Sequence, residues 1–438
     1  MAAIAQTLKS ILSDAQVIDW EHLGESLKLT VQRTIAPQSL PDCIAYPETP
    51  EQLAEVVTCA HQNRWRILPC GQGSKLGWGG LLTGADVIVS TQRLHRLIEH
   101  AAGDLTVTVQ AGMPFANLQA TLLNSRQFLP IDPAYASQAT LGGIVATRDT
   151  GALRQRYGGI RDLLIGISFI RHDGQQAKAG GRVVKNVAGY DLMKLMTGSF
   201  GTLGIITELT FRLYPVQATS QTVVLRGEAE AIQSVVAEVR QSSLTPMAMD
   251  ILSPGLLSVV EPNTYGLAIQ FQSIEAGVAE QVALLLQMVS PKSVTSKVLR
   301  GDDDSLFWQT LNLKIFPVEQ DAKIAIAKLG ILPAKTISLL TTLNATLSPG
   351  SWQARIHASS GIGTLRLNSE ANASDRLVKV RSHCEEAGGY LTLLAAPTAW
   401  KTQMDPWALT KSTQMLMMQL QNQFDPQQRL SPGRFLQP

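Results

Sequence analysis

Residues 180–215 read GGRVVKNVAGYDLMKLMTGSFGTLGIITELTFRLYP. Six glycines (Gly180, Gly181, Gly189, Gly198, Gly201 and Gly204) punctuate a short helix expected over 190–196 and a β-rich run over 205–213. In that run Ile206, Glu208, Thr210 and Arg212 share one face, with Ile205, Leu209, Phe211 and Leu213 nearer the other, as in a half-buried strand. Glycine tolerates positive φ and lets backbone approach a ligand closely. Gly201-Thr202-Leu203-Gly204, just ahead of a strand, therefore reads either as a cradle beside a bound molecule or as a tight connection between strands.

Upstream, strands are expected over 43–46, 66–69 and 86–90. A helix is expected from the Thr49-Pro50-Glu51-Gln52 capping box to about Gln62. Strand, helix, strand is βαβ organisation, and the second strand leads straight into PCGQGSKLGWGGLLTG, residues 69–84. Six of the fourteen residues from 71 to 84 are glycine. A turn at a strand's carboxyl end is where such layouts bind ligands, and successive backbone N–H groups there make an anion nest. The spacing Gly71-x-Gly73-x-x-x-Gly77 matches neither G-x-G-x-x-G nor the G-K-[ST] of a nucleotide hydrolase. A phosphate loop of another kind or a plain loop remains.

Further strands and helices are expected over 106–110, 114–125 and the hairpin around Asp173-Gly174. Thirteen glycines lie between 142 and 204, so these 63 residues and the first loop together hold 19 of the chain's 34. That concentration favours one extended ligand groove. After Pro215 the texture changes to alternating strands (222–226, 248–252, 267–272, 323–327, 354–358, 363–367, 390–394) and helices (228–241, 275–289, 333–346, 372–387). This order predicts an α+β domain with an antiparallel sheet and helices on one face. A last helix is expected over 406–424.

Composition sets the outer limits. The 438 residues are 45% hydrophobic and 16% charged, a packed globular chain of two or three domains. A net charge of +2 gives no argument for nucleic acid. No run of 18 apolar residues predicts a membrane helix, and the first 14 residues read as an amphipathic helix rather than a signal peptide, so a cytoplasmic protein is expected. Cys43, Cys59, Cys70 and Cys384 have no C-x-x-C spacing, so neither an iron–sulfur cluster nor a disulfide framework is expected. The histidines at 22, 61, 95, 100, 172 and 383 show no ligand spacing, and no metal is expected. The tryptophans at 65, 78, 308 and 352 and the Met415–Met418 cluster read as packing or interface.

With these residues in hand, the two glycine-rich segments and KNVAGYDLMKLMTGSFGTLGIITEL resemble the FAD-binding domain of the PCMH-type (vanillyl-alcohol oxidase) superfamily. More narrowly, the chain resembles the E-subunit family of glycolate oxidase (glycolate dehydrogenase), strongly over 40–217 and again near 424–435, where it reads DPQQRLSPGRF. The resemblance implies an α+β fold: a helical segment 1–36, a FAD domain 37–217 (subdomains about 37–100 and 101–217), a cap 218–403, and a helix and tail 404–438 returning to the FAD domain. It implies FAD held between the two subdomains, with the cap over the isoalloxazine. Carried over residue by residue, the diphosphate lies against Gly71, Gln72, Gly73, Ser74 and Lys75, with Gly77 in the same loop. Thr140, Leu141, Gly142 and Gly143 approach the flavin, with Tyr157, Gly158 and Arg161 nearby, and Gly201, Gly204, Ile205 and Ile206 pack along the cofactor. Non-covalent FAD is the default, since no loop histidine stands out for attachment.

Two departures stand out. Where relatives read A-T-N-A-G-G, this chain has Ala146-Thr147-Arg148-Asp149-Thr150-Gly151, which brings charge near the cofactor. The cap motif H-x-G-D-G-N-x-H is reduced to Arg355-Ile-His357-Ala-Ser-Ser-Gly361-Ile-Gly363-Thr-Leu-Arg366, with one histidine left. His357 and Tyr390 are candidate proton acceptors and Arg355 a candidate carboxylate anchor, beside Arg366; each also reads as ordinary packing or pairing. Lys185 and Asp191 read as flavin-tuning charges or as caps of the 190 helix. The resemblance implies partners: a sister flavin subunit that oxidises a small 2-hydroxy acid, and an iron–sulfur subunit that takes electrons onward, with membrane association only through them. The alternatives are a stand-alone FAD-dependent 2-hydroxy acid or alcohol dehydrogenase and a non-catalytic assembly subunit.

Overall fold

The computed structural model describes residues 2–35, 39–181, 190–257, 264–318, 323–368 and 373–435. They form two compact units. Unit 1 contains 1–150, 158–216 and 409–438, and unit 2 contains 151–157 and 217–408.

Unit 1 opens with a helix (Ala2–Lys9), then β1 (Val17–Asp19), a helix Glu25–Gln32 and β2 (Cys43–Ala45). The described residues 2–35 thus hold a strand between two helices where a helical segment was expected. The helix Pro50–Gln62 starts where its cap dictates: Thr49 Oγ1 accepts from the Gln52 N–H at 3.2 Å. The Gln52 side chain accepts from Glu48 N, one residue earlier than a closed box requires. Strands β3 (Ile67–Cys70) and β4 (Val87–Ser90) complete a sheet of order β1-β2-β4-β3, in which β2, β4 and β3 are parallel. The helix buries Leu53, Val56, Val57 and Ala60 in one core cluster with Val87 and Val89, and each buried leucine or valine there contributes roughly 1.5–3 kcal/mol.

The second sheet of unit 1 comprises β5 (Leu97–Ala101), β6 (Thr106–Gln110), β8 (Leu164–Ile170), β9 (Gln176–Gly180) and β10 (Ile205–Arg212). It is antiparallel, in the order β5-β6-β10-β8-β9. A short β7 (Gln127–Phe128) pairs with β11 (Tyr214–Pro215). The β-rich run after Gly204 is thus a central strand. Leu209 and Phe211 are fully buried, Arg212 is exposed, and bulges at Ile206/Glu208 and Thr210/Phe211 account for its imperfect alternation. The helix expected at 190–196 spans Leu192–Met196, capped by Asp191, whose carboxylate accepts from Lys194 N. Lys185 lies outside the described residues.

Unit 2 contains the strands β12 (Thr219–Gly227), β13 (Ala248–Leu252), β14 (Tyr265–Ser273), β15 (Val294–Arg300), β16 (Ile324–Gly330), β17 (Trp352–His357), β18 (Ile362–Asn368) and β19 (Tyr390–Ala395). Among the described residues they form one eight-stranded antiparallel sheet of order β15-β12-β14-β13-β17-β18-β16-β19. Helices Ala229–Gln241, Glu275–Val289, Thr336–Thr346 and Ala373–Glu386 bury their apolar stripes in one core against the sheet. Ile232, Val235, Val236 and Val239 show the helical spacing behind it. A further helix, Asp302–Ile315, corrects the expectation of helices on one face only. It packs with Leu252 and Ala268 in a separate cluster. Its sequence carries little apolar periodicity because a buried carboxylate, Asp304, makes part of the contact. That carboxylate accepts hydrogen bonds from Ser220, Thr222 and Gln270.

Among the described residues no helix is long and apolar enough to cross a membrane, and no three His, Cys, Asp or Glu side chains come together to hold a metal.

Candidate functional site

The loop after β3 is fixed at its root by hydroxyls from the end of β4. Ser90 Oγ donates to the Gly71 carbonyl at 3.0 Å and Thr91 Oγ1 to the Cys70 carbonyl at 3.2 Å. Gly73 turns the loop with φ +84°. A Cβ on Gly71 would stand 2.1 Å from Thr140 Oγ1, so only glycine lets this loop meet the segment at 140. Thr140 caps the helix Leu141–Thr147, its Oγ1 accepting from Gly143 N. The paired glycines, expected only as bare backbone near a ligand, form the first turn of this helix. Gly142 presses on Ala111, where a Cβ would come within 2.9 Å of the Ala111 Cβ. The end of the helix holds the third segment: its Val145 and Ala146 carbonyls accept from Gly198 N and Phe200 N.

These three segments line one cleft of unit 1, open to solvent. The walls comprise Gly71–Lys75, then Thr140, Gly142, Gly143, Ala146 and Thr147, then Gly201, Gly204, Ile205 and Ile206. Among the described residues no carboxylate lines it, and the two charged lining groups are both cations, Lys75 and Arg434. A nest of loop amides beside positive charge suits a diphosphate, and the bare backbone and apolar strand start suit a flat ring system. The cleft therefore fits a flavin dinucleotide.

Lys75 is not a free anion ligand. Its Nζ pairs with Asp149 Oδ2 at 2.7 Å, both side chains largely buried, and lies 5.4 Å from the Trp78 ring centroid. Burial lowers the Lys75 pKa, and Asp149 opposes that shift. The charge expected at Arg148 and Asp149 is thus accounted for. Asp149 is spent on Lys75 and on Ala134 N, and Arg148 ends the helix in the left-handed region at φ +51°.

Several expected residues stand elsewhere. Leu141 is fully buried in the core beside the cleft. Gly77 does not line the cleft, and a Cβ there would meet no atom within 4 Å. Gly158 and Arg161 belong to a turn and short helix closed by Asp162, whose carboxylate accepts from Gly159 N, and Tyr157 belongs to unit 2. Sequence reasoning passed over Trp78, Thr91, Phe200 and Arg434 as lining residues. Trp78, Phe200 and Arg434 lie inside the motifs quoted above, and only Thr91 lies outside them.

Unit 2 brings two of the three candidate catalytic residues together. The β13–β17 register sets Asp250 opposite His357 and Leu252 opposite Arg355. Asp250, wholly buried, accepts from Arg355 Nε at 2.5 Å, and its other oxygen lies 2.6 Å from His357 Nδ1. The Arg355 guanidinium sits 5.3 Å from the Trp308 ring centroid. Burial alone would raise the Asp250 pKa; His357 and Arg355 together outweigh it and hold the carboxyl well below the usual range. Arg355 is therefore an ion-pair partner inside the sheet rather than an open carboxylate anchor. Tyr390 is not part of this cluster: β19 is the sheet edge, separated from β17 by β18 and β16, and the Tyr390 ring covers Gly330. Arg366 donates to the Lys314 carbonyl at 2.5 Å.

Comparison with known proteins agrees with this geometry. The FAD binding domain family matches residues 41–180. Glycolate oxidase subunit GlcD of Bacillus subtilis is 30% identical over 225 residues, 51% of this chain and 48% of that one. Glycolate oxidase subunit GlcE of Escherichia coli is 34% identical over 199 residues, 45% of this chain and 55% of that one. The chain thus spans about half the length of the curated relatives it matches. Among solved structures, p-cresol methylhydroxylase with substrate bound superposes with a TM-score of 0.74 at 14% identity, over 99% of this chain and 96% of that one. An alkyldihydroxyacetonephosphate synthase gives 0.75 at 16% identity, over 99% and 86%.

Proposed function

We propose that this chain, which matches the FAD binding domain family over residues 41–180 and is similar to glycolate oxidase subunits, is a flavin subunit of a 2-hydroxy-acid dehydrogenase assembly. FAD would lie in the unit 1 cleft, its diphosphate on the amides of Gly71–Ser74 and its ring against Gly142, Gly143, Ile205 and Ile206. Bound FAD supplies a two-electron acceptor. The substrate is glycolate or a related small 2-hydroxy acid, and the electrons pass to an iron–sulfur partner. The carrying observation is the cleft itself, rich in glycine and free of carboxylates among the described residues of its wall. Assembly with a sister catalytic subunit is favoured by the spent state of Arg355: a 2-hydroxy-acid site needs a cation for the substrate carboxylate, and this one is committed to Asp250.

A second reading, a stand-alone dehydrogenase, draws on one feature. The Asp250 carboxylate orients His357 through Nδ1, which leaves Nε2 as the atom to receive a hydroxyl proton. One experiment separates the two. The FAD-loaded chain is mixed anaerobically with glycolate, alone and as the assembly isolated from its native cells, with and without His357→Gln. The subunit reading expects flavin bleaching in the assembly and none in the isolated chain. Bleaching by the isolated chain that falls about 10²–10⁴-fold in His357→Gln would establish the stand-alone reading instead.

A further inference from the structure

The segment from 425 to 435 folds back along the edge of β3 and over the glycine loop of unit 1. Ile67 N donates to the Arg429 carbonyl at 2.8 Å and Ser431 N to the Ile67 carbonyl at 2.9 Å. Thr83 N donates to the Pro432 carbonyl and Gly80 N to the Arg434 carbonyl. The approach is close enough that a Cβ on Gly80 would lie 2.6 Å from the Arg434 oxygen. Gly433 takes φ +82° to deliver Arg434 into the loop.

Arg434 is 4% exposed. Its Nη1 lies 3.0, 2.8 and 3.2 Å from the carbonyl oxygens of Leu76, Trp78 and Gly80. Three carbonyl dipoles aimed at one point repel each other unless a cation stands there, so the turn over 76–80 is wound around the guanidinium. The same group lines the cleft, where the other cation, Lys75, is matched by Asp149.

We propose that Arg434 is a positioning residue of the cofactor cleft, which shapes the diphosphate loop through its carbonyls and lends that loop its positive charge. The proposal rests on the reading that the cleft takes FAD. It extends the site from the two glycine-rich segments to a tail more than 350 residues further along the chain. Burial pushes the Arg434 pKa down to about 10, so the group remains charged at neutral pH. Glutamine at 434 keeps a donor without the charge. Lysine keeps the charge and three donors on a shorter stem. Charge and donors together predict that lysine recovers part of what glutamine loses.

The test uses the full chain stripped of flavin. FAD affinity is read by flavin fluorescence and ADP affinity by competition, with the melting temperature of the apo form as the check on folding. Arg434→Gln is expected to weaken FAD and ADP together by about tenfold or more, about 1.4 kcal/mol for each factor of ten. Arg434→Lys is expected to recover part of both losses, while the absorption spectrum of the flavin still bound keeps its shape. A purely structural role would lower the melting temperature without separating lysine from glutamine in affinity. If Arg434→Gln does not fold, Gly80→Ala, which keeps the arginine but pushes its backbone off the loop and so draws the guanidinium away from the 76–80 carbonyls, is expected to give the same joint loss. A folded Arg434→Gln or Gly80→Ala protein that binds FAD and ADP as tightly as the parent overturns the proposal. A parent chain that binds ADP but not FAD sinks the flavin reading instead, and the ADP arm still judges Arg434.

Discussion

Asp250→Ala is expected to destabilise unit 2 by about 3–5 kcal/mol, because it leaves Arg355, and His357 when protonated, buried without their carboxylate. The energy lies in the mismatch rather than in the ion pair itself. Desolvation offsets most of the attraction within such a cluster, so a triple variant with Leu at 250, Met at 355 and Leu at 357 is expected to regain much of the loss. Urea unfolding of unit 2 reads both. A triple variant as weak as Asp250→Ala would show that packing, not unpaired charge, sets the cost. The cluster also predicts acid sensitivity. The folded Asp250 pKa lies below its unfolded value of about 3.9. Its contribution is therefore complete above that unfolded value and disappears as pH falls through the folded one. Asp250→Asn should flatten the acid limb of the stability curve, and an unchanged limb would assign it to other carboxylates.

The second large effect belongs to unit 1. Gly71→Ala is expected to weaken FAD binding by about ten- to a hundredfold. The new methyl would meet Thr140 Oγ1 at 2.1 Å and Thr140 Cγ2 at 2.8 Å, and overpacking of this kind costs about 1–3 kcal/mol. Relief requires the 71–75 loop or the cap of the helix Leu141–Thr147 to move, and both line the cleft. Gly77→Ala is the matched control in the same loop, where the added Cβ meets nothing within 4 Å; its affinity should stay close to the parent's. Equal affinities for the two variants in a fluorescence titration would remove Gly71 from the site.

The legible features were those whose cause is local. Thr49 and Pro50 announce a helix start, the Ile205–Arg212 run announces a strand by its alternation, and the glycines of 71–84 announce a turn that carries little side-chain bulk. The strand Ala248–Leu252 and the helix Glu275–Val289 fall where their apolar patterns put them. What stayed hidden depends on register or on distant partners. Asp250 meets His357 only because β13 pairs with β17, a relation 107 residues apart in sequence. The helix Asp302–Ile315 begins with three aspartates and buries one of them against hydroxyls of β12, so its inner face lacks the apolar stripe that marks the others. Strand β15 is an exposed sheet edge, mostly polar, and leaves a weak pattern. The helix Leu141–Thr147 gives little sequence signal because paired glycines disfavour helix; the Thr140 cap and the close contact of Gly142 with Ala111 outweigh that preference.

The central claim is that main chain from three parts of unit 1 encloses a flavin dinucleotide. The direct measurement is the visible absorption spectrum of the purified chain after incubation with FAD and removal of unbound ligand. The account predicts a yellow protein retaining one FAD per chain, with the flavin lost on the same treatment of Gly71→Ala. A folded parent chain that emerges colourless, or one that holds its flavin equally well after Gly71→Ala, would contradict it.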